Sequence, residues 1–80
     1  MNRFTNDNEV FETIRLNIIR FRTEKHITSA DLAEQTGLSH DYIRQLQCNS
    51  QKYRCSLLSL YKISVVLNVS IEKFFETHQQ

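Results

Sequence analysis

The feature that most limits this chain is its punctuation. Eighty residues contain no proline and a single glycine, Gly37, set in "LAEQTGLSHDYI" between two stretches that both read as helical. Proline and glycine are the strongest breakers of regular structure. With them almost absent, helix ends must come from capping side chains and from residues that accept a left-handed backbone. That backbone costs a residue with a Cβ roughly 1 kcal/mol and costs glycine nothing. Gly37 is therefore expected to end one helix and, with only Leu38 and Ser39 before the next, to make the two helices cross steeply at short range.

The remaining boundaries follow from caps and apolar spacing. Asn6-Asp7-Asn8-Glu9 is a dense start signal, and Val10, Phe11, Ile14, Ile18 and Phe21 follow at helical intervals, predicting a first helix over about 9 to 25. Thr28 stands three residues before Asp31, the spacing of a capping box, so a second helix covers about 29 to 36. Ser39 can cap a third, about 40 to 48, with Asp41 suited to the positive end of its dipole. After Asn49 and the polar loop "SQKYRC", Ser56 opens a fourth helix over about 56 to 67, with Leu57, Leu60, Ser64 and Leu67 on one face and Asn68 as its stop. Ser70 and Glu72 begin a fifth, about 71 to 77, carrying Ile71, Phe74 and Phe75. No segment sustains a two-residue alternation, so the expected fold is all-α, one five-helix domain over 9–77 between tails at 1–8 and 78–80.

Composition excludes several classes. A chain of this length builds one modest core with little room for an enclosed active site. No apolar run approaches the ~18 residues of a membrane span, and "MNRFTNDNEV" has no apolar signal block, so a cytoplasmic protein without membrane contact is expected. Cys48 and Cys55 match neither a zinc-site nor a Cys-x-x-Cys spacing and are expected as reduced thiols. His26, His40 and His78 stand at no metal-binding interval, and neither metal, cofactor nor small-molecule ligand is expected. Ser39, His40 and Asp41 are residue types of a hydrolytic site, but as neighbours on one helix they do not converge on a substrate, and no enzyme is expected.

A tight turn containing glycine between two short helices is the pattern of a helix-turn-helix. Leu32, Ala33, Gly37, Leu38, Ile43 and Leu46, with one helix before and two after, resemble the lambda-repressor-like domains of the phage Cro and repressor (XRE) type, from about Ile14 to Phe75. The resemblance implies a five-helix bundle and DNA binding in transcriptional regulation. It also marks departures. His26 and Asn49 stand where family glycines commonly follow the first and third helices, so each must carry left-handed strain or adopt another turn. Arg22 matches a family arginine whose usual glutamate partner falls at Gln47, converting a charge pair into a charge–amide hydrogen bond. Cys55 stands where proline is common, after a loop longer than usual.

With Ile43 and Leu46 facing the core, a step of about 100° per residue turns Asp41, Arg44, Gln45 and Cys48 outward, with His40 at the edge. By resemblance, Ser39, His40, Asp41, Arg44 and Gln45 hold positions used for base contacts: Gln45 suits adenine, and Arg44 suits guanine or a phosphate. Two roles are open to Asp41, a bond to cytosine or a local one at the helix start and beside Arg44. Ser29, Asn49, Lys52, Tyr53 and Arg54 are candidates for the DNA backbone, Tyr53 equally for plain packing. A net charge of +1 predicts weak non-specific affinity, but Tyr42 to Lys62 contains no acid while Arg44, Lys52, Arg54 and Lys62 supply four positive charges able to displace phosphate counterions.

The function expected is that of a sequence-specific regulator binding double-stranded DNA as a homodimer on palindromic sites. Ile71, Phe74 and Phe75 are candidate dimer contacts, with closure of the monomer core as their alternative role. The competing reading is a protein-interaction module, such as an antitoxin, that uses the same scaffold to hold a partner.

Overall fold

The computed structural model describes residues 6–48 and 54–77. Helix α1 spans Asp7–Glu24, α2 Ser29–Thr36, α3 His40–Gln47 and α4 Leu57–Leu67, and a short 3-10 helix, Ile71–Phe75, closes the described chain. The all-α class is as expected, but the fifth element is one tight 3-10 segment ending at Phe75, where an α-helix to 77 was expected. Helix α1 begins two residues early because Asn6 is the cap: its side-chain oxygen accepts from the Glu9 N–H at 2.9 Å. Helix α3 stops at Gln47, with Cys48 already extended, and α4 starts at Leu57 with Ser56 as its cap.

Thr28, Ser39 and Ser56 do the work assigned to them. Their hydroxyl oxygens accept from the N–H groups of Asp31, Tyr42 and Ser59 at 3.0, 3.1 and 3.1 Å. At the other ends the backbone turns left-handed at His26 (φ 58°), Gly37 (φ 77°) and Asn68 (φ 55°). After α1, the N–H of His26 donates to Thr23 and that of Ile27 to Arg22. After α4, Asn68 and Val69 donate to Val65 and Ser64 in the same pattern. Both are Schellman closures, and they return Ile27 and Val69 to the core. His26 thus carries the left-handed conformation itself; the turn is kept and the glycine is not.

The core joins Ile14, Ile18 and Phe21 of α1 to Leu32 and Ala33 of α2, Ile43 and Leu46 of α3, and Leu60, Ile63 and Leu67 of α4. Phe74 completes it. Fully buried, its ring meets Phe21 edge-on at a centroid distance of 5.1 Å. Of the two roles open to Phe74, a dimer contact or closure of the monomer core, its full burial corresponds to the second; Ile71 and Phe75 are also partly buried against the same core. The reason is Asn17, a polar residue in the core phase of α1 and 1% exposed. Its amide donates to the carbonyls of Phe74 at 2.7 Å and Glu76 at 2.8 Å, strapping the C-terminal segment across α1.

Helix α4 keeps the expected phase at Leu60, Ser64 and Leu67 and departs from it at Leu57. Leu60, Ile63, Ser64 and Leu67 face inward, whereas Leu57 is 75% exposed and, with Leu58, Tyr61 and Val65, forms an apolar stripe on the outside. No helix among the described residues is long and apolar enough to cross a membrane.

Candidate nucleic-acid interface

The corner between α2 and α3 is rigid for local reasons. Gly37 donates its N–H to the Ala33 carbonyl at 2.9 Å, and the Leu38 N–H reaches the Thr36 hydroxyl at 3.3 Å. That hydroxyl in turn donates to the carbonyl of Leu32 at 2.7 Å. Nothing lies within 4 Å of where a Cβ on Gly37 would sit, so glycine is needed here for its positive φ alone. Buried Leu32 and Ala33, half-buried Leu38, and buried Ile43 and Leu46 fill the angle beneath the turn.

With Ile43 and Leu46 turned inward, α3 presents His40, Asp41 and Arg44 to solvent, Gln45 half-buried at the border, and Cys48 exposed just past its end. Ser39 is exposed and is the helix cap. The Asp41 carboxylate accepts from the Arg44 guanidinium at 2.9 Å, the local pairing open to it. Both side chains are more than half exposed, so this pair contributes little and exchanges readily for another partner.

Beneath that face lies a clasp. Gln47 accepts from Arg22 Nε through its amide oxygen at 3.0 Å, the charge–amide bond expected in place of an ion pair. Its amide nitrogen donates to the Ile43 carbonyl at 3.0 Å and to the Ser29 hydroxyl at 2.9 Å. Arg22 also donates to the Ile27 carbonyl at 2.8 Å, fixing the α1–α2 turn. Arg15 donates to the Gln47 carbonyl at 3.2 Å and also to the Glu12 carboxylate, and the Arg15–Glu12 hydrogen bond holds the Glu12 carboxyl below its ordinary range. One glutamine side chain therefore ties α1, α2 and α3 at the base of the exposed helix.

Among the candidate backbone residues, Ser29 sits half-buried at the first position of α2. Arg54 is exposed, but its guanidinium lies 4.8 Å above the Phe11 ring and donates to the Asn8 side chain at 3.2 Å. Asn49, Lys52 and Tyr53 lie outside the described residues. Both cysteines are free thiols; burial pushes the Cys55 thiol up to about 11. Sequence reasoning missed Tyr42, whose phenol oxygen accepts the Ser56 N–H at 3.4 Å and so links α3 to the cap of α4. The pair spans 14 positions, beyond the reach of any local pattern.

A short helix held across a capped turn with its polar flank bare defines a helix-turn-helix unit. The family description "Cro/C1-type HTH DNA-binding domain" matches residues 17–80. Among solved structures, the chain is similar to the master regulator for biofilm formation SinR in complex with DNA, at 32% identity and a TM-score of 0.71, covering 79% of this chain and 98% of that one. It is also similar to the N-terminal DNA-binding domain of SinR from Bacillus subtilis, at 29% identity and a TM-score of 0.74, covering 85% and 97%. A comparison with curated proteins finds no match. The chain belongs to the Cro/C1-type helix-turn-helix family of DNA-binding domains. Its class of activity is DNA binding in the regulation of transcription.

Proposed function

We propose that this protein is a sequence-specific regulator that reads double-stranded DNA as a homodimer on palindromic operators, with α3 in the major groove. The observation that carries the reading is the bare flank of α3, where His40, Asp41, Arg44 and Gln45 stand clear of a corner whose helices are tied together below. The major groove admits one helix, and the first turns of a recognition helix meet base edges. Arg44 leaves Asp41 for guanine or a phosphate, and Gln45 pairs with adenine. Similarity to SinR, solved in complex with DNA, supports the same placement. Neither catalysis nor a cofactor forms part of this reading.

Two-fold assembly follows from the limited number of bases that one short helix can reach, with half-sites about 34 Å apart. A body of 33 × 25 × 23 Å fits one copy to each half-site. The surface that fits the second copy is the α4 stripe of Leu57, Leu58, Tyr61 and Val65, each more than half exposed and none charged. These side chains offer on the order of 400 Å² of apolar surface, about half of what each partner buries in a standard stable interface. The dimer is accordingly weak in solution and completed on DNA. Selection of bound sequences from random duplexes tests the proposal: an enriched inverted repeat with half-sites about 10 base pairs apart supports it, and retention of duplexes without any sequence enrichment rejects it.

A further inference from the structure

The orientation of the Gln47 amide is fixed from both sides. Arg22 Nε can only donate, so the atom facing it at 3.0 Å is the amide oxygen; the Ile43 carbonyl can only accept, so the atom facing it at 3.0 Å is the amide nitrogen. That nitrogen also lies 2.9 Å from Ser29 Oγ. Ser29 is consequently an acceptor toward Gln47, and its own proton, with no acceptor among the described residues, is left to point elsewhere. Ser29 occupies the first position of α2, where the backbone N–H has no partner within the helix. Hydroxyl and backbone thus present donors together beside the α3 face.

We infer that Gln47 is a positioning residue for DNA: by donating to Ser29 it forces the serine hydroxyl to act as a donor to a backbone phosphate oxygen, a polarity that a carboxylate at position 47 would reverse. This rests on the proposed DNA reading. A glutamate would still satisfy Arg22, and more strongly, because a carboxylate accepts a charge-assisted bond. It has no hydrogen to give, so the Ser29 proton would turn inward to it and the serine would offer only lone pairs to an anion. Hydrogen bonds to charged groups rank among the stronger ones.

The experiment is a double-mutant cycle on the full chain, reading affinity for the selected operator at fixed salt together with the thermal midpoint. Gln47→Glu should lower operator affinity about ten-fold, in proportion to one charge-assisted bond, while the protein stays folded. In a Ser29→Ala background the same change should have almost no effect, since no hydroxyl remains to be turned. A purely structural role for Gln47 would move affinity equally in both backgrounds, and that result overturns the inference. So does a Ser29→Ala protein that binds as tightly as the native one. Gln47→Met, which cannot donate but places no charge beside the Ile43 carbonyl, should repeat the pattern with a smaller loss and carries the test if Gln47→Glu melts below the assay temperature. Native protein that binds no duplex would strike the DNA reading itself; native binding with an additive cycle strikes this inference alone.

Discussion

Asn17 and Phe74 stand 57 positions apart, and the side-chain amide of one donates to the backbone carbonyl of the other at 2.7 Å. The second amide hydrogen goes to Glu76 at 2.8 Å, so one residue of α1 holds the segment that seats Phe74 in the core. Asn17→Leu keeps the approximate volume and leaves both carbonyls without that donor. The expected cost is about 2–3 kcal/mol, since lost pairing is compounded by loosened packing of Phe74 on Phe21. Urea unfolding measures it. A midpoint equal to that of the native protein would show that the strap contributes nothing.

The three left-handed positions form a graded series. His26→Gly removes the Cβ penalty at φ 58° and should stabilise the fold by about 0.5–1 kcal/mol. Asn68→Gly should be nearly neutral, because asparagine already tolerates that region. Gly37→Ala should cost about 1 kcal/mol and Gly37→Val more, by conformation alone, because no neighbour stands within 4 Å of the added Cβ. Unfolding midpoints of the four variants should fall in that order. A destabilised His26→Gly would break the series.

What the sequence disclosed and what it withheld divide by range. Thr28, Ser39, Gly37 and Asn68 act within four residues of themselves, so chain order alone exposes the helix ends they set, whereas among the crowded cap candidates from Asn6 to Glu9 the start of α1 is legible only to within two residues. Arg22 and Gln47 are separated by 25 positions and were legible only through the family resemblance. Ile71, Phe74 and Phe75 exceed the needs of one short helix face, so the sequence leaves Phe74 open to a dimer contact or to the core, and the strap that decides for the core comes from a residue 57 positions away. The signal was nevertheless present: Asn17 falls between Ile14 and Phe21 on the buried stripe, where a polar side chain must find partners inside the protein. Leu57 was misplaced for a simpler reason. At the first position of α4 it shares a helical row with Tyr61 and Val65, both exposed, while the inward face begins at Ser59 and Leu60. On the candidate DNA face, the polar residues of α3 were legible by phase, but the link from Gln47 to Ser29 joins separate helices 18 positions apart and required coordinates.

Base and backbone contacts should separate in binding experiments. Arg44→Ala and Gln45→Ala should each lower discrimination between operator and random duplex, by about 1–3 kcal/mol where a bidentate base contact is lost. Lys52→Ala should weaken both alike and reduce the salt slope by about one phosphate's worth. Arg54→Ala carries an added expectation, because the guanidinium also rests on Phe11 and Asn8: a small loss of stability should accompany its loss of affinity. Titration of operator and scrambled duplex at several salt concentrations distinguishes the groups. Equal losses on both duplexes for Arg44, Gln45 and Lys52 would contradict this division of labour.

The α4 stripe makes the last prediction, and its exposure makes the test clean. Leu58 is 62% exposed, so Leu58→Glu should leave the monomer folded while setting a carboxylate against its two-fold mate. Affinity for the full palindrome should fall at least ten-fold, from lost apolar burial worth about 1.5–3 kcal/mol per leucine, while affinity for an isolated half-site stays unchanged. Leu16, 51% exposed on α1, supplies the control: Leu16→Glu should alter neither quantity. The contrast matters because a weaker grip on DNA would lower both affinities, whereas a weaker seam lowers only the one that needs two copies. Native full-site binding by Leu58→Glu, with the loss appearing in Leu16→Glu, would move the seam from α4 to the outer face of α1.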